Sequence, residues 1–300
     1  MRIRCENAFF ISLLVIAVIS LPLALSSACS GNVKPVMPVV SDYLHDTTAE
    51  IFDLRVGVVS GPYWDMFEEA VMPLLNEKGY TATFICYDDF SKPNFALAQN
   101  DIDLNIFQHY VYLNTFKFEN DLALSAIMEI PTVSMSLFSH RFISLSEIGA
   151  GITVSIPDDA SNLARALRVL ESANILTLDP SIDKSKATLA DVVDNPFFVR
   201  LKPLKAHDLV ESLKTHDMSV INGNFAISGG LNLSEALYQE LLVDNYMNVV
   251  AVRTEDLNKR FVRDIIEVIY SDSFRDIVSD LHGNFAGFQW PRWLHDSMGS

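Results

Sequence analysis

The chain has 300 residues, 49% of them hydrophobic, with 38 acidic against 22 basic side chains and a formal charge of −16. That length and apolar content suit two packed domains or one large one. A surface of this sign repels nucleic-acid phosphates and anionic lipid headgroups, and no basic patch interrupts it, so nucleic-acid binding is excluded.

Arg2 and Arg4 open the chain, and residues 8–25 are apolar apart from Ser12 and Ser20, with Pro22 near the end. Leu25-Ser26-Ser27-Ala28-Cys29 follows. A charged start, an apolar stretch and small residues at a cut form the layout of a signal peptide, here 1–28. A Cys just after the cut resembles the lipobox of bacterial lipoproteins, in which that Cys carries the lipid and becomes the new N-terminus. The usual pattern has Leu three places before the Cys; here that place is Ser26, and Leu25 lies one step further out. A plain transmembrane anchor is the competing reading, because 18 mostly apolar residues nearly span a bilayer. The small residues before Cys29 and the loop beyond it favour processing. Arg2, Arg4 and Glu6 would leave with the signal, taking the charge to −17. Residues 29–50, with Gly31, Pro35, Pro38 and Ser41, read as a lipidated N-terminus and tether. Cys86 then stands alone, so no disulfide framework is expected within the chain, and it reads as a buried apolar residue on a strand.

The body begins with a short buried strand at 54–59, closed by Ser60-Gly61-Pro62. Met66, Phe67, Ala70, Val71, Leu74 and Leu75 recur at helical spacing up to Gly79. A strand at 81–87, a helix at 92–99 and a strand at 102–107 follow. This alternation predicts a parallel sheet covered on both faces. A second αβ unit opens near Gly151 with a strand at 152–156, then a helix capped by Asp159 whose core stripe is Leu163, Ala166, Leu167 and Leu170. Beyond it lie a strand near 198–201, a helix near 208–213, strands at 218–221 and 249–252, and helices around 256–270 and 272–281.

Two α/β lobes leave a cleft where strand carboxyl ends and helix N-termini converge, a natural ligand site. Pattern alone names no ligand. Catalysis finds little support: the histidines at 45, 140, 207, 216, 282 and 295 show no metal-ligand spacing, and Gly-x-Ser-x-Gly elbows and phosphate loops are absent. His207-Asp208 and His216-Asp217 read as surface pairs, and Asp88-Asp89 and Asp158-Asp159 as loop or cap residues. No catalytic residue, metal or cofactor is expected.

Four segments go further: 56–62 (Val-Gly-Val-Val-Ser-Gly-Pro), 101–109 (Asp-Ile-Asp-Leu-Asn-Ile-Phe-Gln-His), 156–167 (Ile-Pro-Asp-Asp-Ala-Ser-Asn-Leu-Ala-Arg-Ala-Leu) and 220–224 (Val-Ile-Asn-Gly-Asn). In this order and spacing the chain resembles the NlpA family of methionine-binding lipoproteins that feed ABC importers, from about residue 53 almost to the C-terminus. The resemblance implies a two-lobed periplasmic-binding-protein-like α/β fold, type II-like, with two crossover strands and a ligand cleft between lobes. Residues 51–137 plus 248–300 would form lobe 1, and 138–247 lobe 2. The matched pocket residues are Phe90, Phe107, His109, Tyr112, Asn162, Arg165, Asn222 and Asn248. Departures from the family pattern fall at Phe90, where Tyr is common, at Ala160 and Ala164, where Pro and Gly are common, and at 134–138 near a crossover.

Asn162 and Arg165 share one face in the first turns of a helix, where backbone N–H groups already favour an anion, and a guanidinium there can grip an α-carboxylate with two hydrogen bonds. Asn222 and Asn248 flank strands, where an amide meets an ammonium or a carboxylate without adding charge. Phe90, Phe107 and Tyr112 would wall a slot for a thioether. The bland alternatives are a solvated helix face for Arg165, a turn for Asn222-Gly223, core packing for the aromatics and a structural role for His109. The expected function is a lipid-anchored substrate-binding protein on the exported face of the cell membrane, capturing L-methionine for a permease and ATPase. The rivals are another small amino acid as ligand, or a surface lipoprotein with a macromolecular partner.

Overall fold

The structure, a computed structural model, describes residues 52–297 apart from 244 and 281. The expectations for the signal peptide, Cys29 and the tether lie outside the described residues.

Strand β1 (Phe52–Val59) buries Leu54, Val56, Val58 and Val59, as a strand covered on both faces must. One helical run follows in three pieces: α1 (Tyr63–Met66), a π turn (Phe67–Val71) and α2 (Met72–Glu77). Pro73 explains the wide turn, since it has no N–H to donate and its ring crowds the carbonyl four residues back. Then come β2 (Tyr80–Tyr87), α3 (Lys92–Ala98), β3 (Leu104–His109), α4 (Tyr110–Glu119) and β4 (Leu124–Ile130). The middle of the chain forms β5 (Ser136–Phe138), β6 (Thr153–Pro157), α5 (Ala160–Ser172), β7 (Thr177–Leu178), β8 (Val192–Asp194) and β9 (Arg200–Leu204). It continues through α6 (Leu209–Ser212), β10 (Met218–Ile221), α7 (Gly223–Ser228) and β11 (Tyr238–Gln239). The last stretch holds β12 (Asn248–Arg253), α8 (Arg260–Ile269), α9 (Asp272–Val278) and α10 (Arg292–Ser297).

Two five-stranded sheets result, ordered β2-β1-β3-β12-β4 and β11-β5-β10-β6-β9. Neither is the purely parallel sheet that the alternation predicted. β12 runs antiparallel to β3 and β4, and β5 runs antiparallel to β10 and β11. A strand that follows its neighbour through a crossover helix is forced parallel. β12 and β5 arrive from the other sheet instead, so no such connection sets their direction.

Phe261, Ile265, Ile269 and Phe274 of α8 and α9 share a core with Leu54, Val56, Phe67 and Val252, so the C-terminal helices cover the first sheet. Val154, Ile156, Leu167, Leu170 and Val220 form the second core. A third apolar cluster joins the lobes, with Val59, Phe107 and Tyr112 meeting Phe138, Leu209, Ile221 and Phe225.

The chain passes between the sheets at 131–135 and again after β11, and Gln289 holds the two passages together. Its backbone exchanges hydrogen bonds with Thr132 at 2.8 and 2.9 Å. Its Nε2 donates to Ser134 Oγ and to the Glu240 carbonyl, both at 2.6 Å, and its Oε1 accepts from the Leu242 N–H at 2.8 Å.

Two features were not anticipated. Cys86 is half-buried on β2, the edge strand of the first sheet, where it packs against the core of that sheet. It lies on a strand as expected, but the expectation of full burial is corrected: an edge strand keeps one side open to solvent. At the end of β12, Arg253 enters the interior: Nη2 lies 2.5 Å from Asp256 and 3.5 Å from Asp103, while Nη1 donates to the Leu97 and Ile102 carbonyls. Asp256 is fully buried and also meets Lys259 at 2.7 Å.

Candidate ligand-binding site

The polar wall of the cleft starts at Asp159. Its carboxylate caps α5 by accepting the Asn162 N–H at 3.0 Å, as the sequence suggested, and it also accepts from Asn162 Nδ2 through both oxygens at 3.1 Å. With its amide hydrogens committed to a carboxylate, Asn162 can only accept through Oδ1. Asn222 Nδ2 donates to that oxygen at 2.8 Å, and His109 Nε2 lies 3.2 Å from it. His109 Nδ1 accepts the Tyr112 N–H at 3.0 Å, so the imidazole proton sits on Nε2 and is donated to Asn162. Burial, with the charge of Arg165 adding to it, pushes the His109 pKa down to about 3. His109 is thus a neutral donor at any physiological pH. The chain of bonds has one consistent direction, and its last member, Asn222 Oδ1, is a buried acceptor without a partner.

Arg165 follows one helical turn after Asn162 and is 3% exposed, which rules out the solvated face considered from sequence. Its Nε donates to both oxygens of Glu240 at 3.0 and 2.9 Å, and Nη2 lies 2.7 Å from Oε2. Nη2 nevertheless makes no well-directed hydrogen bond. The Tyr246 ring covers the guanidinium, with Cζ 5.5 Å from the ring centroid.

The apolar wall comes mostly from the first lobe. Phe90 lies in the β2–α3 loop, with ring centroids 5.7 Å from Phe107, 5.9 Å from Tyr112 and 5.0 Å from Phe225 across the cleft. Asn248 begins β12 opposite His109; its Nδ2 donates to the Phe107 carbonyl at 3.1 Å and its N–H to Thr132 Oγ1 at 2.7 Å. Together these walls surround about 340 Å³ of empty space, part of it open to solvent.

The amino-acid sequence matches the NlpA lipoprotein family over residues 54–293. The chain belongs to that family. It is similar to the methionine-binding lipoprotein MetQ of Bacillus subtilis, with 30% identity over 231 residues, 75% of this chain and 84% of the relative. Its fold is that of periplasmic substrate-binding proteins. An ABC transporter substrate-binding protein of Coxiella burnetii superposes with a TM-score of 0.73 at 32% identity, covering 79% of this chain and all of the other. A nutrient-binding protein of Burkholderia cenocepacia bound to methionine gives 0.71 at 26% identity, over 76% and 95%. Such family members are substrate-binding proteins rather than enzymes. Among the described residues no group of His, Cys, Asp and Glu could hold a metal ion, and no helix is long and apolar enough to cross a membrane.

All eight residues singled out from the family resemblance line this one cavity. Reading by motif missed Tyr63, Gln108, Val133, Gly223 and Asn224, which line it too. Gln108, Gly223 and Asn224 lie inside the motif segments 101–109 and 220–224 and could have been singled out there. Gly223 admits no side chain, since a Cβ there would lie 2.2 Å from Val133 and 2.5 Å from the Ser134 carbonyl. Asn224 Nδ2 donates to the Ser60 carbonyl at 3.0 Å, and Gly61, at φ +143°, leaves room for it. Gln108 belongs to a buried amide cluster with Asn94 and Asn105 that backs the wall. Glu240, Phe225 and Tyr246 carry no local signal.

Proposed function

We propose that this protein is the lipid-anchored binding component of an ABC importer and captures L-methionine in the cleft between its lobes. The observation that carries the reading is a pair of groups lining the same cavity: the Arg165 guanidinium, which Glu240 engages only along its Nε/Nη2 edge, and Asn222 Oδ1, a buried acceptor without a partner. An α-amino acid offers the complement of both, a carboxylate and an ammonium. Phe90, Phe107 and Tyr112 receive its side chain, His109 and Asn162 hold Asn222 in its accepting orientation, and Asn248 closes the wall beside Phe107. Under this reading residues 51–135 with 248–300 form lobe 1 and 136–247 lobe 2; the boundary expected at 137 moves to 135 because Ser136 and Leu137 lie on β5 of the second sheet. The closed form docks on a membrane permease driven by an ATPase.

Calorimetric titration with a panel of amino acids tests the ligand. Methionine should bind most tightly, ahead of norleucine by about 0.3–1.5 kcal/mol, the increment of a sulfur–aromatic contact. Tightest binding of a charged amino acid would sink the reading, because the aromatic wall offers its side chain no counter-charge.

The anchor is assigned to Cys29, at the exported face of the cell membrane. Cells fed labelled palmitate should label the parent protein and leave Cys29→Ala unlabelled. Equal labelling of the two would remove the assignment.

A further inference from the structure

We propose that Glu240 is the positioning residue of this site: it fixes the guanidinium of Arg165 and cancels its charge, so that the cavity accepts zwitterionic amino acids and rejects carboxylates that lack an ammonium. The inference rests on the reading of the cavity as an amino-acid site and adds to it the origin of its charge selectivity.

Guanidinium presents two edges to carboxylates, a side-on edge made by Nε and one Nη, and an end-on edge made by the two Nη groups. Glu240 occupies the side-on edge of Arg165, with Nε 2.9–3.0 Å from both oxygens and Nη2 2.7 Å from Oε2. The end-on edge is left for a ligand. Glu240 is itself fixed: Oε2 accepts the Met135 N–H at 3.2 Å, its own N–H donates to the Met135 carbonyl at 3.1 Å, and its carbonyl accepts from Gln289. It is 8% exposed, so solvent does little to screen the pair.

The balance of charge follows from this pairing. Arg165 and Glu240 sum to zero. On the far side, Asp159 polarises Asn162 and through it Asn222, whose Oδ1 ends the chain as an acceptor. A ligand carboxylate entering alone meets a site with no net positive charge and strands the Asn222 acceptor. A zwitterion satisfies both ends and adds no net charge.

Two ligands read this out: methionine, and 4-(methylsulfanyl)butanoate, which keeps the thioether and the carboxylate and lacks the amine. The parent protein should bind methionine about ten- to a hundredfold more tightly than the butanoate, since leaving a buried polar group unpaired costs that order of affinity. In Glu240→Gln, isosteric but neutral, the ratio should shrink by about ten- to hundredfold, the effect of one uncompensated charge several ångströms away at intermediate dielectric. A purely structural role for Glu240 would weaken both ligands alike and leave the ratio unchanged, which overturns the proposal. So does a parent that binds the butanoate within tenfold of methionine, a measurement that needs no variant. A parent that binds neither methionine nor any other amino acid overturns the reading of the site as well, which separates the two failures.

Discussion

Replacing Arg165 with Ala should abolish the methionine-dependent rise in unfolding temperature. The ligand carboxylate would then be desolvated in the cleft opposite neutral donors only, and truncating one partner of a buried charge pair costs about 2–5 kcal/mol. That corresponds to a loss of roughly thirty- to several-thousand-fold in affinity. From sequence, the ligand-free variant was expected to be as stable as the parent, because Arg165 lies off the Leu163/Leu167 stripe. The pairing with Glu240 changes that expectation. Removing Arg165 leaves a buried carboxylate without its counter-ion, so the variant should also unfold more easily. Arg165→Ala combined with Glu240→Gln separates the two effects: the double variant should regain stability and still fail to bind. Lys at position 165 should recover only part of the affinity, being a point charge without the planar fork. Methionine binding by Arg165→Ala within about twofold of the parent, below 0.5 kcal/mol, would show that the carboxylate is held elsewhere.

Asp256→Ala should destabilise the fold strongly although the residue lies remote from the cleft. Asp256 is wholly enclosed between β12 and α8 and meets Arg253 at 2.5 Å and Lys259 at 2.7 Å. Lys259 is largely exposed and can turn to water, but Arg253 is buried and would keep Asp103 at 3.5 Å, the exposed Glu255 at 3.9 Å and two carbonyls. Stranding a buried charge costs about 3–5 kcal/mol, and the remaining partners place this case near the lower end. Urea unfolding should show that loss as a lower midpoint with an unchanged slope. The folded fraction should bind methionine as the parent does, because Asp256 does not line the cavity. A change below about 0.5 kcal/mol, the range of ordinary surface substitutions, would mean that the cluster contributes nothing net.

Much of the local architecture could be read from residue spacing. The strand at 218–221 has the bounds expected for it, and Asp159 caps α5 as its position before an apolar stripe suggests. The eight cavity residues came from family motifs, not from periodicity. Arg165 alone would have passed for a solvated helix residue. α4 and β4 had no counterpart in the sequence reading. In α4 only Tyr112 and Leu113 are buried, too few to mark a helical stripe.

What the linear chain determines by itself is local: a period of two or of three to four residues reports which face of a strand or helix meets apolar neighbours, and caps, glycines and prolines report where the element stops. Tertiary structure alone decided which distant groups share one site. Glu240 lies 75 residues from Arg165, and Gln289 lies 155 from Ser134, yet each pair is in hydrogen-bond contact. The direction of β12 and the orientation of the Asn222 amide were likewise decided there. A buried charge or amide is satisfied by whatever the topology brings within about 3 Å. Such a partner need obey no period and no fixed spacing, so no window along the chain contains the signal that pairs them.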